Sequence, residues 1–561
     1  MVQNVLHTMY KEIRGLHQAA YILAVFTFGS QILALIRDRL LAHYFGAGVE
    51  LDLYYAAFRI PDFLYVLFAS TLSVYVLIPF IAQRMEQNKE HEARQFVSQI
   101  FSLFLIAYTI FSVAIMVFAP WIAHNLFPGF GDKTETLVLL IRILLLQPLL
   151  LGISSLYGVI TQLHHRFILY AVSPLIYNLG IIGGLIFLYP VFGIAGLALG
   201  VILGALGHVC IQIPFILKSS LSPRFTLTFN GAELFTVLKT SLTRAVTLSL
   251  HQIVLLGLVS FATTMAIGSV SVFQFAFNLQ SVPLSIIGVS YSVAAFPLLA
   301  QLYSEKKLDL FTKNIMTALR HILFWSFPAI ALFVVIRAQF VRVVLGTGAF
   351  NWDDTRLTAA VLALFMLSLA SQAIHLLLVR ALYAVGNTRL PFYVTLFSSS
   401  LALFSAFSIY SLLIGDSRVY AFFESLMRLE GVGGIEVLAL PLGYSLALIV
   451  HSFILIFLSQ KHLHIKAKML FRSFTHSFVS SLFGGYVAYL TLNYFASLSE
   501  ATTLMVVLLQ GAVAGVSGLI GVILVQYLLK SEELLVIYRT LHRRFTKRDV
   551  VMPQDEDTLA V

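Results

Sequence analysis

Charge and sulfur are what this chain has least of. Of its 561 residues only 11% are Asp, Glu, Lys or Arg, and there is a single cysteine, Cys210. One thiol excludes a disulfide framework and any cysteine-based metal site. So small a charged fraction, beside 59% hydrophobic residues and a mean hydropathy of +0.90, excludes a soluble globular chain. Also missing are a P-loop, a G-x-S-x-G turn, metal-ligand spacing and any long polar stretch in which an active site could fold. That argues against an enzyme and against an ATP-driven pump in one chain. No catalytic residue, metal ligand or cofactor is therefore expected.

What fills the chain is apolar runs of about 20 residues or more, the length that crosses a bilayer as helix. Fourteen such cores are read at 19–42, 53–82, 97–119, 136–162, 167–189, 193–217, 240–266, 268–300, 314–336, 357–384, 390–414, 437–459, 473–497 and 502–529, with the seventh and eighth parted only at "AIGSVS". The fold class is an all-α polytopic membrane protein. The net charge of +10 is that of a membrane protein's cytoplasmic loops rather than of a nucleic-acid binder. Of the 36 Lys and Arg, 25 fall in segments on the side of the N-terminus and 6 on the other, leaving Arg37, Arg39, Arg59, Arg142 and Arg244 within spans. Both termini are expected in the cytoplasm.

The second span ends in "IPFIAQ" at 78–83 and the eighth in "FPLLAQ" at 296–301; "LYGV" at 156–159 is answered by "LYAV" at 382–385. Two offsets of nearly one value make six spans recur as six spans in the same orientation. Parallel repeats of this kind are a transporter architecture, with substrate held between lobes that rock. The division read is a cytoplasmic amphipathic lead at 1–18, an N-lobe at 19–217, a linker at 218–239, a C-lobe at 240–459, two extra spans within 460–529 and a basic tail at 530–561.

Charges inside spans mark the candidate site. In "ALIRDRLLAHYFG" Arg37, Asp38 and Arg39 are consecutive, and each costs about 2.5–3.5 kcal/mol at mid-helix unless it pairs, snorkels or meets water. Thr27, Gln31, Ala34 and Asp38, with Ser30 and Arg37 beside them, form a polar face along the first span, which fits a hydrated cavity. Arg39 is expected to snorkel to the outer interface. In the second span Asp52, Arg59 and Asp62 surround Pro61, which interrupts backbone pairing. Arg59 is read either as an ion pair with Asp62 or Asp52 or as a substrate ligand. His208, His251, His375 and His451 are scattered singly and read as packing residues.

The run "SQILALIRDRLLAHYFGAGVELDLYYAAFRIPDFLYVLFA" from Ser30 to Ala69, the run "LLVRALYAVGNTRLPF" from Leu377 to Phe392 and the "FPLLAQ" repeat resemble the MurJ (MviN) family of lipid II flippases, within the MOP superfamily. The resemblance implies a MOP/MATE-like fold of two parallel six-helix lobes and two C-terminal helices that hold the lipid tail. It implies a cationic V-shaped cavity that carries an undecaprenyl-pyrophosphate-linked headgroup from the inner to the outer leaflet of the bacterial cytoplasmic membrane. Arg37, Asp38, Asp52 and Arg59 match the family's pattern. Gln31, Tyr65, Val66, Ser70 and Asn278 depart from it, standing where family members commonly carry charge. The substrate-binding set is thus Arg37, Asp38, Arg59, Asp52, Ser30, Gln31 and Asn278, with Arg37 and Arg59 bearing most of the contact to phosphate.

The alternatives are a MOP-type exporter of another polyprenyl-linked glycan, a MATE-like cation antiporter, and, last, a membrane scaffold. The expected partners are the lipid-linked substrate and membrane lipids, without nucleic acid, and the chain is expected to work as a monomer. Membrane potential or a monovalent ion is the open choice of driving force.

Overall fold

The computed structural model describes residues 16–69, 72, 74–463, 465, 470–498 and 503–546. Expectations for 1–15, for Ser70 and for 547–561 lie outside the described residues. Among those described, the regular structure is helical throughout. Ten helices are long and apolar enough to cross a membrane, and the bent pair Trp352–Met366 and Leu369–Ala384 makes an eleventh. The other three runs read as spans are helical as well: Leu16–Phe45, the interrupted stretch from 49 to 86, and Leu470–Leu498.

In chain order the helices that matter below are α1 (Leu16–Phe45), α2 (Val49–Ala57), α3 (Arg59–Ala69), α4 (Phe167–Gly183), α5 (Ile194–Cys210), α6 (Gly231–Ala262), α7 (Ser269–Leu284), α8 (Leu308–Val335), α9 (Trp352–Met366), α10 (Leu369–Ala384), α11 (Arg389–Gly415), α12 (Ala439–Leu463), α13 (Leu470–Leu498), α14 (Leu504–Leu528) and α15 (Glu532–Thr546). The second span is not one rod. It breaks at Phe58, between α2 and α3, because Pro61 has no N–H to return to the carbonyl of residue 57. The eighth continues from α7 through a π-turn at Ser285–Val289, a local widening that recurs at functional positions.

Glycine sets one close helix pair. A Cβ on Gly180 would lie 2.2 Å from the Cα of Gly204, and one on Gly200 would lie 2.5 Å from the Cα of Gly184. Glycines four apart on both partners thus let α4 and α5 touch backbone to backbone, which is how helices gain dispersion contact where lipid gives no hydrophobic drive.

Three apolar cores reveal how the lobes meet. The largest joins both lobes: Leu41, Leu51, Ala56 and Leu140 pack in one cluster with Phe273, Phe275, Phe365 and Leu438. Toward the opposite end each half has its own core. One is built on Leu64, Phe96, Phe104 and Ile160, the other on Leu299, Phe311, Ile322 and Leu377. Two lobes that share a core at one end and have distinct cores at the other form a V, closed along one side where α6 packs on α3. The last two spans pack on each other and along α8.

Candidate functional site

The polar face of α1 meets its partners where the V narrows. Arg37 donates from Nε and Nη2 to Oδ1 of Asp38 at 3.0 and 2.8 Å, and from Nη1 to Oδ1 of Asn178 on α4 at 3.0 Å. The Asn178 amide continues to Oγ of Ser30 at 3.4 Å. The second oxygen of Asp38 accepts from Nδ2 of Asn278 on α7, in the other lobe, at 2.9 Å. Oδ1 of Asn278 takes the amide of Gln274 at 2.6 Å, and Oε1 of Gln274 takes the guanidinium of Arg59. One hydrogen-bonded line therefore runs from Arg37 through Asp38, Asn278 and Gln274 to Arg59, crossing between the lobes and back. Asp38 is 2% exposed and the Arg37 side chain 20%.

Arg59 differs from Arg37 in what it lacks. It is 6% exposed, its Nε has no hydrogen-bond partner, and neither has the hydroxyl of Tyr55 one turn before it. Asp62 acts on Arg59 through space while its own hydrogen bond comes from Gln147. Asp52 is engaged elsewhere. Its carboxylate accepts from the backbone N–H of Gly268 and of Ser271, each at 2.7 Å, and from the Ser271 hydroxyl at 2.5 Å. Arg59 thus makes an amide contact with Gln274 while Asp62 acts on it through space, and Asp52 faces the start of α7.

Asp52 caps α7 across the lobes, supplying the anion that a helix N-terminus with unpaired N–H groups favours. Gly268 makes this approach possible: its φ is +91°, and a Cβ there would meet the carbonyl oxygen of Ala47 at 2.3 Å. Other inter-lobe contacts gather at the same end. Ala349 donates its N–H to the carbonyl of His43 at 2.9 Å, and Ser260 bonds the carbonyl of Leu126. Arg39 belongs to this set, which corrects the snorkelling read for it: its guanidinium donates to the carbonyls of Val343 and Val344, the latter at 3.1 Å. Both carbonyls lie near the end of a short helix, Arg337–Leu345, where the last turn leaves oxygens unpaired.

The remaining expected residues are placed as follows. Gln31 and Ser30 are half-buried, and Thr27 is exposed. Tyr65 contacts the Ser155 hydroxyl at 3.3 Å. Of the departures from the family pattern, Asn278 is built into the inter-lobe line. Sequence reasoning missed Asn178, Gln274 and Tyr55. Gln274 stands one helical turn before Asn278 within an apolar run, a spacing that puts both amides on one face. The histidines were read as scattered, yet Nδ1 of His375 lies 2.7 Å from Nε2 of His451. Among the described residues no three His, Cys, Asp or Glu are gathered as metal ligands would be.

Residues 41–509 match the family described as lipid II flippase MurJ. A probable lipid II flippase MurJ of Buchnera aphidicola subsp. Acyrthosiphon pisum is 30% identical over 388 residues, 67% of this chain and 74% of that one. One from Aquifex aeolicus is 29% identical over 484 residues, 85% and 89% of the two chains. Among solved structures the chain is similar to a lipid II flippase MurJ in an inward closed conformation, with a TM-score of 0.69 at 24% identity over 93% of this chain and 100% of that one. It is also similar to an inward-facing MATE transporter of the MOP superfamily, with a TM-score of 0.62 at 15% identity over 77% and 94%. At these identities the structural likeness is one of fold. The family match covers well over half of the sequence: this chain is a multi-pass membrane protein that belongs to the MurJ lipid II flippase family.

Proposed function

We propose that this chain carries lipid II, the undecaprenyl-pyrophosphate-linked peptidoglycan precursor, from the inner to the outer leaflet of the bacterial cytoplasmic membrane. Both termini lie in the cytoplasm, as the distribution of Lys and Arg favours. The end where the lobes share a core then faces outward, and the V opens inward, where newly made precursor is found. The headgroup enters the V, its pyrophosphate meets Arg59 and Arg37, and release follows when the outer contacts part and the inner faces close.

One observation carries this reading: Arg59 is a buried cation whose one hydrogen-bond partner is a neutral amide, with an unused Nε and the unused Tyr55 hydroxyl beside it. A buried cation with no hydrogen-bonded carboxylate is costly; Asp62 acts on Arg59 only through space, and a pyrophosphate would add charge-assisted hydrogen bonds at the unused Nε. The same feature disfavours a cation exporter. The test is transport by the purified chain in liposomes, read as headgroup exposure in the far leaflet. Lipid II should move. A lipid carrying the same pyrophosphate with an unrelated glycan should move more slowly, and equal movement of both would transfer the assignment to a broader polyprenyl-glycan flippase.

A further inference from the structure

Apart from the inter-lobe line, the C-lobe holds a second buried polar line that transport as described above does not use. His375 is on α10, and His451, 1% exposed, is on α12. Nδ1 of His375 is 2.7 Å from Nε2 of His451, and Nδ1 of His451 is 2.7 Å from Oγ of Ser398 on α11. Ser398 has one proton and two acceptors in reach, the carbonyl of Thr395 at 3.0 Å and Nδ1 of His451 at 2.7 Å; with that proton on Thr395, the Ser398 oxygen accepts from His451. His451 therefore carries its proton on Nδ1 and offers a lone pair at Nε2, and His375 must donate to it from Nδ1. The tautomers of both rings thus turn on where one serine places its proton. The lone pair left over is Nε2 of His375, on the less buried of the two rings.

We infer that His375 and His451 form a binding site for one proton, taken up at Nε2 of His375. Uptake there makes His375 an imidazolium and keeps every contact, because its Nδ1–H still donates to His451. A second proton would have to sit on Nε2 of His451, placing two donors against each other across 2.7 Å, and is refused. The pair thus titrates as a unit with a capacity of one.

Few ionisable groups surround the pair. The ionisable groups that act on His375 are His451 and, from α6, His251, and His251 in turn feels Arg59. Tyr444, also on α12, rings with His251 at 6.3 Å. On α8, His321 is stacked on Tyr291 at 6.0 Å, and Arg320 is bound to Glu532 and Glu533. Among the described residues no carboxylate acts on either ring of the pair, so an added proton would stay a net charge.

It would be felt at a hinge. α9 and α10 meet at a bend of 44°, and α12 fastens both sides of it, with Ser445 donating to the carbonyl of Leu364 at 2.8 Å and Ser452 to that of Ser371 at 2.9 Å. The histidine contact is the next tie along the same two helices.

The direct test needs no substrate, so it stands or falls apart from the lipid II assignment. The full-length protein, labelled with 15N-histidine and held in lipid bilayers, is titrated from about pH 8 to about pH 4, spanning the usual histidine range, with solid-state NMR reading each ring nitrogen. Single His→Gln variants at 375 and 451 assign the signals. The expected result is an Nδ1–H neutral tautomer for His451 throughout and one imidazolium for the pair, at His375. Ser398→Ala should release the His451 tautomer. Two imidazolium rings at acid pH, or a pair that stays neutral to the lowest pH, would overturn the site. A change of lipid II transport with pH that persists unaltered in His375→Gln would place the coupled proton elsewhere.

Discussion

Asn278 of the C-lobe donates to Oδ2 of Asp38 in the N-lobe at 2.9 Å, while Arg37 holds the other oxygen of the same carboxylate. Asp38 is therefore shared between fixing the arginine of its own lobe and joining the two lobes. An amide in this position makes a weaker tie than a guanidinium would, because a charged donor adds Coulomb attraction to the hydrogen bond.

Asn278→Ala should loosen the join without disturbing Arg37. A hydrogen bond to a charged group contributes about 1.5–3 kcal/mol, so the population parted at the outer end should rise by about ten- to a hundredfold. Asn278→Arg should act oppositely and hold the lobes together. Spin-label distances between the loops at 46–48 and 346–351 read both effects. A shift of both variants in one direction would contradict this role.

For Asp52 a substitution can separate capping from substrate binding. Asp52→Ala removes all three acceptor contacts at the start of α7, and losing a helix cap costs about 0.5–2 kcal/mol. Thermal stability should fall and labelling of an outer-end cysteine should quicken, with lipid II affinity little altered. A loss of affinity at unchanged stability would return Asp52 to the binding set.

How much was legible in the sequence can be judged from these same residues. The apolar runs and the narrow break between α6 and α7 could be read, because a bilayer admits little besides helices of set length. Helical spacing also put Arg37, Asp38 and Gln31 on one stripe. Periodicity assigns a residue to a face but not to a partner across the interface. Asn278 meets Asp38 over 240 positions and Arg39 meets Val343 over 304, and no local pattern encodes either contact. The pairing of His375 with His451 was lost for the same reason.

The C-terminal helix α15 is tied down by charge. Glu533 accepts from Arg320 at 2.8 Å and from Ser473 and Ser531 at 2.7 Å each, while Glu532 reaches Arg320 at 2.5 Å. Burial alone would raise the Glu533 carboxyl, but the hydrogen bonds from Ser473, Ser531 and Arg320 prevail and bring it to about 2. A depressed carboxyl stabilises docking above its free value and loses that contribution as pH falls toward 2. α15 should therefore stay docked through mildly acid pH and detach in Glu533→Gln at neutral pH, as limited proteolysis between 529 and 546 would report. Detachment of the wild type near pH 5 would contradict the assignment. Transport should survive detachment, as expected of a tail that serves anchoring; Arg539 is exposed, and each such cation near anionic lipid adds about 1 kcal/mol.

The central claim is that Arg59 is the open cationic grip for pyrophosphate and Arg37 the braced one. Its most direct test is lipid II binding and headgroup exposure in the far leaflet for Arg59→Ala, Arg59→Lys and Arg39→Ala, at matched amounts of folded protein in liposomes. The account predicts a loss of about tenfold or more in binding for Arg59→Ala, as for removal of a charge-assisted contact. Partial recovery is expected in Arg59→Lys, which keeps the charge but not the planar fork. Arg39→Ala should bind normally and alter only the outer seal. Normal binding and transport by Arg59→Ala, or an equal loss in Arg39→Ala, would contradict it.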